Sequence, residues 1–347
     1  MNRLRGNIFI DPSYPVFNQD KLFDLSDPLL NRDDQLLPFH RLREDLRARG
    51  KLVYTADFML SRDAGPVEGS AYFSLGILDN YQRIAREGRA RLKAFVIMEP
   101  PVVAPHLYEA LPELTCAFEQ VYVHNVDGDG YALAGVRRDK LKRLYWPLPY
   151  GEVLEPYWSQ PSRARRIVVI NGSHRPRSYY GEQYSTRIAA MAALAPLGAV
   201  DLFGRGWEHW WSREARWMPY WRNRDTLMSI YKGACVSKFE VLQRYQFCLC
   251  FENMEMNGYI TEKLFDCLYA GTIPLYLGAP DILRYVPEDV FIDCRIYRSW
   301  DEMWDAVRHM PVSRIGAMRE AGRQFLGSDR ARFFVDSLVN LMRESDA

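Results

Sequence analysis

Apolar positions in the first half of this chain alternate between two spacings. Short apolar runs bounded by proline or polar turns, such as KLVYTAD, KAFVIMEPP and QVYVHNV, are typical of buried β-strands. The stretch LPFHRLREDLRARG, which ends at Gly50, has the spacing of an amphipathic helix. Strands that alternate with helices predict α/β layers built on parallel sheets.

The same alternation begins again after residue 160. RIVVING, YSTRIAAMAALAPLG and AVDLFGRG predict a strand, a crossover helix and a second strand, which together make a βαβ unit. RYQFCLCFEN, TEKLFDCLYAG and TIPLYLG then predict a buried strand, a helix and another strand. The intervening stretch EHWWSREARWMPYWRNRD has no clear period, and we interpret it as mostly loop.

Length and composition indicate two domains. The chain has 347 residues, which exceeds the size at which a single core usually stops growing, about 250–300 residues. The segment from residue 141 to residue 166 is rich in proline, aromatic residues and then arginine, as expected of a connection between domains. We therefore predict one domain over residues 1–160 and a second over residues 161–328.

The last predicted element is a C-terminal amphipathic helix over residues 329–347. Its apolar face consists of Phe333, Phe334, Leu338 and Leu341. Such a face can pack on a domain or lie on a membrane, and we favour packing within the chain. No apolar run approaches the roughly 20 residues of a membrane span, and MNRLRGNIFIDPSYPVF is too polar for a signal peptide. We expect a cytoplasmic protein, at most peripheral at the inner face of a membrane.

Charge and cysteine content narrow the classes of ligand. Lys and Arg total 45 against 44 acidic residues, a net charge of +1, so no overall field favours nucleic acid. Any anion must therefore be bound by local groups. The six cysteines lack paired C-x-x-C spacing, which indicates reduced core residues rather than a metal site or disulfides.

The richest chemistry follows the strand QFCLCFEN. This run is apolar up to Glu252 and Asn253, as expected of a central parallel strand covered on both faces. Open α/β sheets bind ligands outside the carboxyl ends of such strands. Thr261 is suited to cap the next helix, which places Glu262 and Lys263 in its first turn.

Glu262 suits the ribose of a nucleoside diphosphate, and Lys263 suits its diphosphate. A lysine in the first helical turn opposes the helix dipole by a few tenths to about 1 kcal/mol, and a bound anion would turn this cost into affinity. A carboxylate such as Glu262 can accept hydrogen bonds from ribose hydroxyls. The alternative is a solvated pair at an ordinary helix start, and spacing alone does not decide between the two.

Three segments, YQFCLCFEN, GYITEKL and AGTIPLYLGAP, together resemble the signature of the α1,3/4-fucosyltransferase family, glycosyltransferase family 10, in its soluble bacterial form. The resemblance is strong over about residues 230–300 and weaker before them. It implies a GT-B fold, in which two Rossmann-like α/β domains face a cleft. It further implies an inverting enzyme that transfers L-fucose from GDP-fucose to a hydroxyl of an acceptor glycan, with no metal or other cofactor.

The resemblance also implies a set of donor-binding residues in the second domain. In the family a βαβ unit supplies an arginine to the diphosphate, and Arg187 stands at that place, with Arg175 and Arg177 as alternatives. An arginine suits this role because its planar fork donates two hydrogen bonds in fixed geometry; the alternative for Arg187 is an exposed helix surface. The remaining donor-binding candidates are Gly204, Arg205, Glu252, Asn253, Tyr259, Glu262 and Lys263. For Tyr259 a place in the core is the alternative.

Glu99 is the candidate base in the first domain. KAFVIMEPPVVAP resembles the family's E-S-P segment, whose glutamate is taken to deprotonate the acceptor hydroxyl, so that Glu99 joins Arg187 and Lys263 as catalytic candidates. A carboxylate at the end of an apolar strand would be partly desolvated and suited to proton abstraction. Pro100 replaces the serine, and VYVHNVDGDG departs from the Y-R-R-D-S segment of vertebrate members. The acceptor therefore stays open, with a lipid-linked glycan or lipopolysaccharide among the candidates.

Three alternatives remain. Asp127 and Asp129 form a D-x-D that could chelate Mn²⁺ or Mg²⁺, although an Asp-Gly turn is the interpretation we favour. His124 and Asn125, just before it, have the pattern of loop residues. The donor could be another GDP- or UDP-sugar, and the chain could be a non-catalytic nucleotide-sugar or carbohydrate-binding protein, in which WEHWW and WMPYW stack on sugars or pack between the domains.

Overall fold

The computed structural model describes residues 6–61, 69–209, 211–212 and 216–346. The chain divides into two compact units: Met1–Pro149 with Phe333–Ala347 form the first unit, and Tyr150–Arg332 form the second. The chain changes unit at residue 150 rather than near 160, because the connection packs on the second unit. There the Leu154 N–H donates to the Tyr269 carbonyl (2.9 Å), and the Tyr269 hydroxyl donates to the Tyr150 carbonyl (2.8 Å).

The first unit is built on a six-stranded parallel sheet of order β2-β1-β3-β4-β5-β6. Its strands are β1 (Ile8–Asp11), β2 (Val53–Thr55), β3 (Ala71–Ser74), β4 (Arg91–Val96), β5 (Gln120–Val123) and β6 (Leu141–Arg143). The helices between them are α1 (Leu37–Ala48), α2 (Asp57–Leu60), α3 (Tyr81–Arg86), α4 (Pro105–Glu109) and α5 (Leu111–Ala117). Buried apolar side chains cover both faces of this sheet.

The second unit has a five-stranded parallel sheet of order β11-β10-β9-β7-β8. Its strands are β7 (Ala164–Ile170), β8 (Val200–Phe203), β9 (Tyr245–Phe251), β10 (Ile273–Leu277) and β11 (Ile292–Asp293). Its helices are α6 (Glu155–Trp158), α7 (Tyr184–Leu194), α8 (Met218–Ile230), α9 (Lys238–Leu242), α10 (Glu262–Ala270), α11 (Trp300–Arg308) and α12 (Val312–Leu326). The predicted class, two parallel α/β sheets of the Rossmann type, is confirmed.

Short 3₁₀ helices complete the secondary structure. They lie at Pro15–Phe17, Lys21–Phe23, Arg32–Asp34, Arg138–Lys140, Ile282–Arg284, Glu288–Val290 and Cys294–Ile296. Across the residues that the structure describes, no helix has the length and apolar character to cross a membrane.

The second part of the basic, aromatic stretch that we interpreted as mostly loop, residues 218–225, is helical. Met218–Ile230 form the helix α8, with a proline in its first turn, where the missing N–H costs no helical hydrogen bond. Its buried residues Tyr220, Leu227 and Ile230 have helical spacing, but the tryptophans and arginines around them conceal it. Trp210 and residues 213–215 of this stretch lie outside the described residues.

The C-terminal region forms two helices rather than the single predicted one. They are α13 (Asp329–Val335) and α14 (Ser337–Asp346). Leu338 and Leu341 belong to the core of the first unit, which confirms packing within the chain. Phe333, predicted on the apolar face, is instead 53% exposed, whereas its neighbour Phe334 is buried in helical register with Leu338 and Leu341.

Candidate active site

The switch point of the second sheet lies between β7 and β9. The chain passes from β7 to β8 on one side and then returns to β9 on the other side of β7. In open α/β sheets, this reversal of strand order leaves a crevice at the carboxyl ends of the two strands. The helices α7 and α10 follow β7 and β9 along the chain, so their first turns face this edge, where backbone N–H groups favour anions.

The start of α10 agrees with the sequence prediction. Thr261 has extended backbone angles and its side chain accepts the Lys263 N–H (3.5 Å), so it is the N-cap. Glu262 and Lys263 are the first two helical residues, and the helix ends at Gly271, whose φ of 71° is the left-handed conformation of a helix C-terminus. Leu264, Phe265 and Leu268 are buried.

Glu252 fastens the loop that leads into α10. Its side chain is fully buried directly after β9. One carboxylate oxygen accepts the Thr261 N–H (2.8 Å) and the other accepts the Thr261 hydroxyl (2.7 Å). Burial raises the pKa of Glu252, and the nearby Lys263 ammonium opposes this shift only in part. Predicted to contact the donor, this carboxylate is instead engaged inside the protein, where it holds the helix start in place.

Lys263 lies between two carboxylates. Its Nζ atom is 3.3 Å from Glu252 Oε2, 3.5 Å from Glu262 Oε1 and 3.1 Å from Thr261 Oγ1. Glu252 therefore offsets part of the cost of a cation at a helix N-terminus. Burial alone would raise the pKa of Glu262, but the neighbouring ammonium groups of Lys263 and Lys238 hold this pKa below its ordinary value. Glu262 is thus ionised, and its Oε2 is buried without a hydrogen-bond partner in the described part of the chain.

Arg187 connects α7 to the end of β9 at the switch point. It is only 3% exposed, so an exposed helix surface, the alternative from the sequence, is wrong. One of its terminal nitrogens, Nη2, donates to the carbonyls of Phe251 (2.6 Å) and Glu252 (3.1 Å) at the end of β9. Its Nε atom has no partner among the residues described. A buried guanidinium bonded to carbonyls rather than to a carboxylate brings positive charge to this edge.

The other arginine candidates differ from Arg187 in their surroundings. Arg175 and Arg177 are both exposed, in the loop between β7 and α7. Arg175 donates to the carbonyl of Arg216 (3.2 Å) and to the hydroxyl of Tyr179 (3.3 Å), so it links two surface loops. Of the three arginines, only Arg187 is buried beside the end of β9.

The turn after β8 requires glycine at position 204. A Cβ atom there would lie 1.9 Å from the carbonyl oxygen of Asn171, and φ is +145°. This close approach lets the two strand ends bond to each other, because the Asn171 N–H donates to the carbonyl of Phe203 (3.0 Å). Arg205 is exposed, and its carbonyl accepts the N–H of Ser173 (2.9 Å). Gly204 and Arg205 thus lie at the same edge as the start of α7.

Asn253 and Tyr259 belong to the loop between β9 and α10. The Asn253 carbonyl accepts the Gln183 N–H (3.0 Å), which ties this loop to the residue before α7. Tyr259 is 1% exposed, so its ring belongs to the core, as the alternative interpretation has it.

A small cavity that the sequence did not indicate adjoins Glu262 and Lys263. It has a volume of about 70 Å³, too small for a nucleotide, since ligand pockets usually hold about 300–1,000 Å³. This cavity therefore cannot enclose a nucleotide. Its lining includes an ion pair between Lys238 and Asp266. Two larger cavities lie elsewhere: one of about 370 Å³ is lined by residues of the first unit, around Tyr145 and Phe333, and one of about 440 Å³ lies in the second unit, beside Gly151 and Arg323.

The cysteines are free thiols, as predicted. Cys248, Cys250, Cys267 and Cys294 are buried, the first three of them around the small cavity, whereas Cys116 is exposed and Cys235 is half-buried. The core placement is therefore confirmed for four of the six.

In the first unit, Glu99 follows β4 at the carboxyl edge of the sheet and is half-buried. His124 and Asn125 follow the neighbouring strand β5 as loop residues, as predicted, and both are buried. Asp127 is 81% exposed, and its N–H donates to Asn125 Oδ1 (2.7 Å), the bond of an Asx turn. No group of three or more potential metal-ligating side chains lies within the described ranges.

Comparisons with known proteins agree with this site. Residues 178–314 match the sequence family described as glycosyltransferase family 10 (fucosyltransferase) C-term. The chain is 35% identical to an α-(1,3)-fucosyltransferase, FucT, of Helicobacter pylori over 74 residues, which are 21% of this chain and 16% of the relative. It is 29% identical to human α-(1,3)-fucosyltransferase 7 over 174 residues, 48% of this chain and 42% of that one.

The structural similarity covers more of the chain than the sequence similarity does. A crystal structure of an α1,3-fucosyltransferase with GDP-fucose aligns with 98% of this chain and 90% of its own, with a TM-score of 0.52 and 13% identity. Neighbours of this kind have the GT-B fold. By sequence, however, the chain spans less than half the length of the two relatives named. The segment that matches glycosyltransferase family 10 (fucosyltransferase) C-term contains Arg187 and all of the loop and helix start that surround Lys263, so the similarity includes the residues of this site.

Proposed function

We propose that this chain transfers L-fucose from GDP-fucose to a hydroxyl group of an acceptor glycan. One observation carries the proposal: Glu262 Oε2 and Arg187 Nε are buried polar atoms without partners in the described part of the chain, both at the switch point of the second sheet. Buried polar groups are nearly always hydrogen-bonded, so such a pair suggests a ligand with both donors and anionic acceptors. The fucosyltransferase domain match supports GDP-fucose as that ligand.

The second unit binds the donor. Glu262, an ionised carboxylate, accepts hydrogen bonds from the ribose hydroxyls, and Arg187 and Lys263 bind the diphosphate. These two cations are held in place before the reaction, Arg187 by carbonyls and Lys263 by Glu252. Negative charge grows on the diphosphate as the bond to fucose breaks, and one such fixed donor typically contributes about 3–4 kcal/mol to the transition state.

The first unit supplies the base. The Glu99 carboxylate takes the proton of the acceptor hydroxyl as the hydroxyl oxygen bonds to the anomeric carbon of fucose. The bond between that carbon and the β-phosphate oxygen breaks, and GDP departs with the electron pair. Attack on the face opposite GDP inverts the configuration at the anomeric carbon. The half-buried position of Glu99 after an apolar strand supports this role, since partial desolvation makes a carboxylate a better base.

The remaining sequence predictions concern the setting of the reaction. Two cations at the diphosphate support transfer without a metal ion, because they supply the positive charge that a metal would. A lipid-linked glycan or lipopolysaccharide as acceptor, and a cytoplasmic location with at most peripheral membrane contact, stay predictions.

A donor screen by thermal shift tests the proposal. GDP and GDP-fucose should raise the melting temperature, since a ligand at about 100 times its Kd stabilises the folded state by about 2.7 kcal/mol. The shift should be the same in EDTA, and UDP should give none. GDP-mannose shows whether the sugar is recognised. Equal stabilisation by UDP would contradict the proposed donor, and loss of the GDP shift in EDTA would contradict metal-free binding.

A further inference from the structure

Two side chains donate hydrogen bonds to the backbone on either side of Glu99. The ring nitrogen Nε2 of His124 lies 2.8 Å from the carbonyl oxygen of Met98, and the hydroxyl of Tyr108 lies 3.0 Å from the carbonyl oxygen of Glu99 itself. His124 follows β5, and Tyr108 is on α4. Two separate elements of the first unit thus converge on one residue of the chain.

These bonds restrain the backbone at Glu99, and with it the direction of the Cα–Cβ bond. Peptide groups are planar, and the two bonded carbonyls belong to the successive planes that meet at the Glu99 Cα. Fixing both planes fixes φ and ψ there, and hence the direction of the Cβ. Pro100 further restricts Glu99 to extended backbone. The chain beyond is held as well, since the N–H groups of Val103 and Ala104 donate to the Pro100 carbonyl (2.9 and 3.0 Å).

Both donors are themselves held rigidly. His124 is fully buried, and its ring stacks on Trp146 with 6.0 Å between ring centres and 15° between planes. Tyr108 is 4% exposed, and its ring packs on Tyr131 at 4.7 Å. Their burial leaves both side chains poorly accessible to a bound substrate.

The protonation states suit this arrangement. Burial lowers the pKa of His124 to about 4, so the imidazole is neutral near pH 7 and carries one proton. Since Nε2 faces a carbonyl, that proton is on Nε2. Burial also raises the pKa of the Tyr108 phenol well above its ordinary value, so its hydroxyl stays a donor.

We propose that His124 and Tyr108 are positioning residues, which orient the Glu99 carboxylate toward the acceptor hydroxyl. This inference rests on the proposed role of Glu99 as the base. A base must come within about 3 Å of the proton it takes, and a displacement of about 1 Å can slow a reaction about 100-fold. The two residues act on the rate of transfer and leave donor binding to the second unit.

A double-mutant cycle separates positioning from a general effect on stability. His124→Leu and Tyr108→Phe are each made in the wild type and in Glu99→Gln, and kcat is measured at saturating donor and acceptor. In the wild type each should lower kcat about 10-fold. In Glu99→Gln neither should lower it further, because there is no base left to orient. GDP-fucose affinity should stay constant throughout, and His124→Gln, which retains an N–H near Nε2, should recover most of the rate.

Matched controls exist in the same unit. His40→Leu removes a ring nitrogen that lies 2.9 Å from the Phe23 carbonyl, and Tyr81→Phe removes a hydroxyl that donates to Glu113 (2.6 Å). Both should keep the wild-type kcat.

Two results would contradict the positioning role: His124→Leu and Tyr108→Phe leave kcat unchanged in the wild type, or they lower it by the same factor in Glu99→Gln. Either result would leave the role of Glu99 as the base unaffected. If Glu99→Gln retains full activity, the base and its positioning both fail. Tyr108→Phe and His124→Gln preserve the test if the leucine variant does not fold.

Discussion

Lys263 shows what sequence reasoning reaches at a single position and what it misses. The spacing of a capping threonine, a glutamate and a lysine predicts a cation in the first turn of α10, and the cation is there. The sequence does not show that Glu252, eleven residues earlier, lies 3.3 Å from the Lys263 ammonium. That contact exists because the loop after β9 folds back on the strand end, and loop geometry leaves no periodic trace in the sequence.

Removal of either cation should slow transfer strongly. Lys263→Ala and Arg187→Ala should each lower kcat about 10²–10³-fold, as loss of one transition-state donor does, and weaken GDP binding. Arg187→Lys should recover only part of the rate, because an ammonium cannot reproduce the guanidinium fork. Steady-state kinetics and GDP titration of the folded variants measure both effects. Wild-type turnover in Lys263→Ala, or full recovery in Arg187→Lys, would contradict the assignment. Lys140→Ala, which changes a lysine of the first unit, is the control.

The helices and strands of the second unit were the easiest to predict from the sequence. β9 and β10 are largely apolar runs of seven and five residues, and β7 is apolar over residues 167–170. Because α10 also has both caps in the sequence, pattern and structure agree. β1, β3 and β6, of three or four residues each, were not predicted, although β2, β5 and β8 are as short and were predicted. Such short strands form through pairing with neighbours on the sheet, which is long-range information. The fold class could therefore be predicted, but not the complete strand order.

The titration of Glu252, which holds the start of α10, should make the free energy of unfolding depend on pH. Since burial raises its pKa in the folded state, folding favours the protonated form. The stability from this group is present at low pH and is lost as the pH rises through the raised pKa. In Glu252→Gln the titration is absent. The free energy of unfolding of the variant, relative to wild type, should therefore increase as the pH rises above the ordinary value of a glutamate.

Denaturant unfolding at several pH values between about 4 and 8 measures this difference. Glu113→Gln provides a control of opposite sign, because hydrogen bonds from Tyr81 and Gln82 hold the pKa of Glu113 below its ordinary value. A constant difference for Glu252→Gln, or one that decreases with pH, would mean that Lys263 keeps Glu252 ionised in the folded protein.

Two parallel sheets in one chain separate the proposed chemistry into two parts. The sequence predicted two domains because each half repeats the alternation of strand and helix. It did not predict that the chain returns to the first unit at residue 333, since an apolar helix face does not specify which surface it covers. The catalytic candidates divide in the same way, with Glu99 in the first unit and Arg187 and Lys263 in the second.

This division allows binding and chemistry to be measured separately in Glu99→Gln. Calorimetric titration with GDP-fucose, beside the transfer rate at saturating donor, tests the account most directly. We predict donor affinity within about twofold of wild type and a transfer rate lower by about 10²–10⁴, as expected for a lost general base. A large loss of donor affinity would instead place Glu99 in the nucleotide site, and an unchanged transfer rate would show that another group is the base.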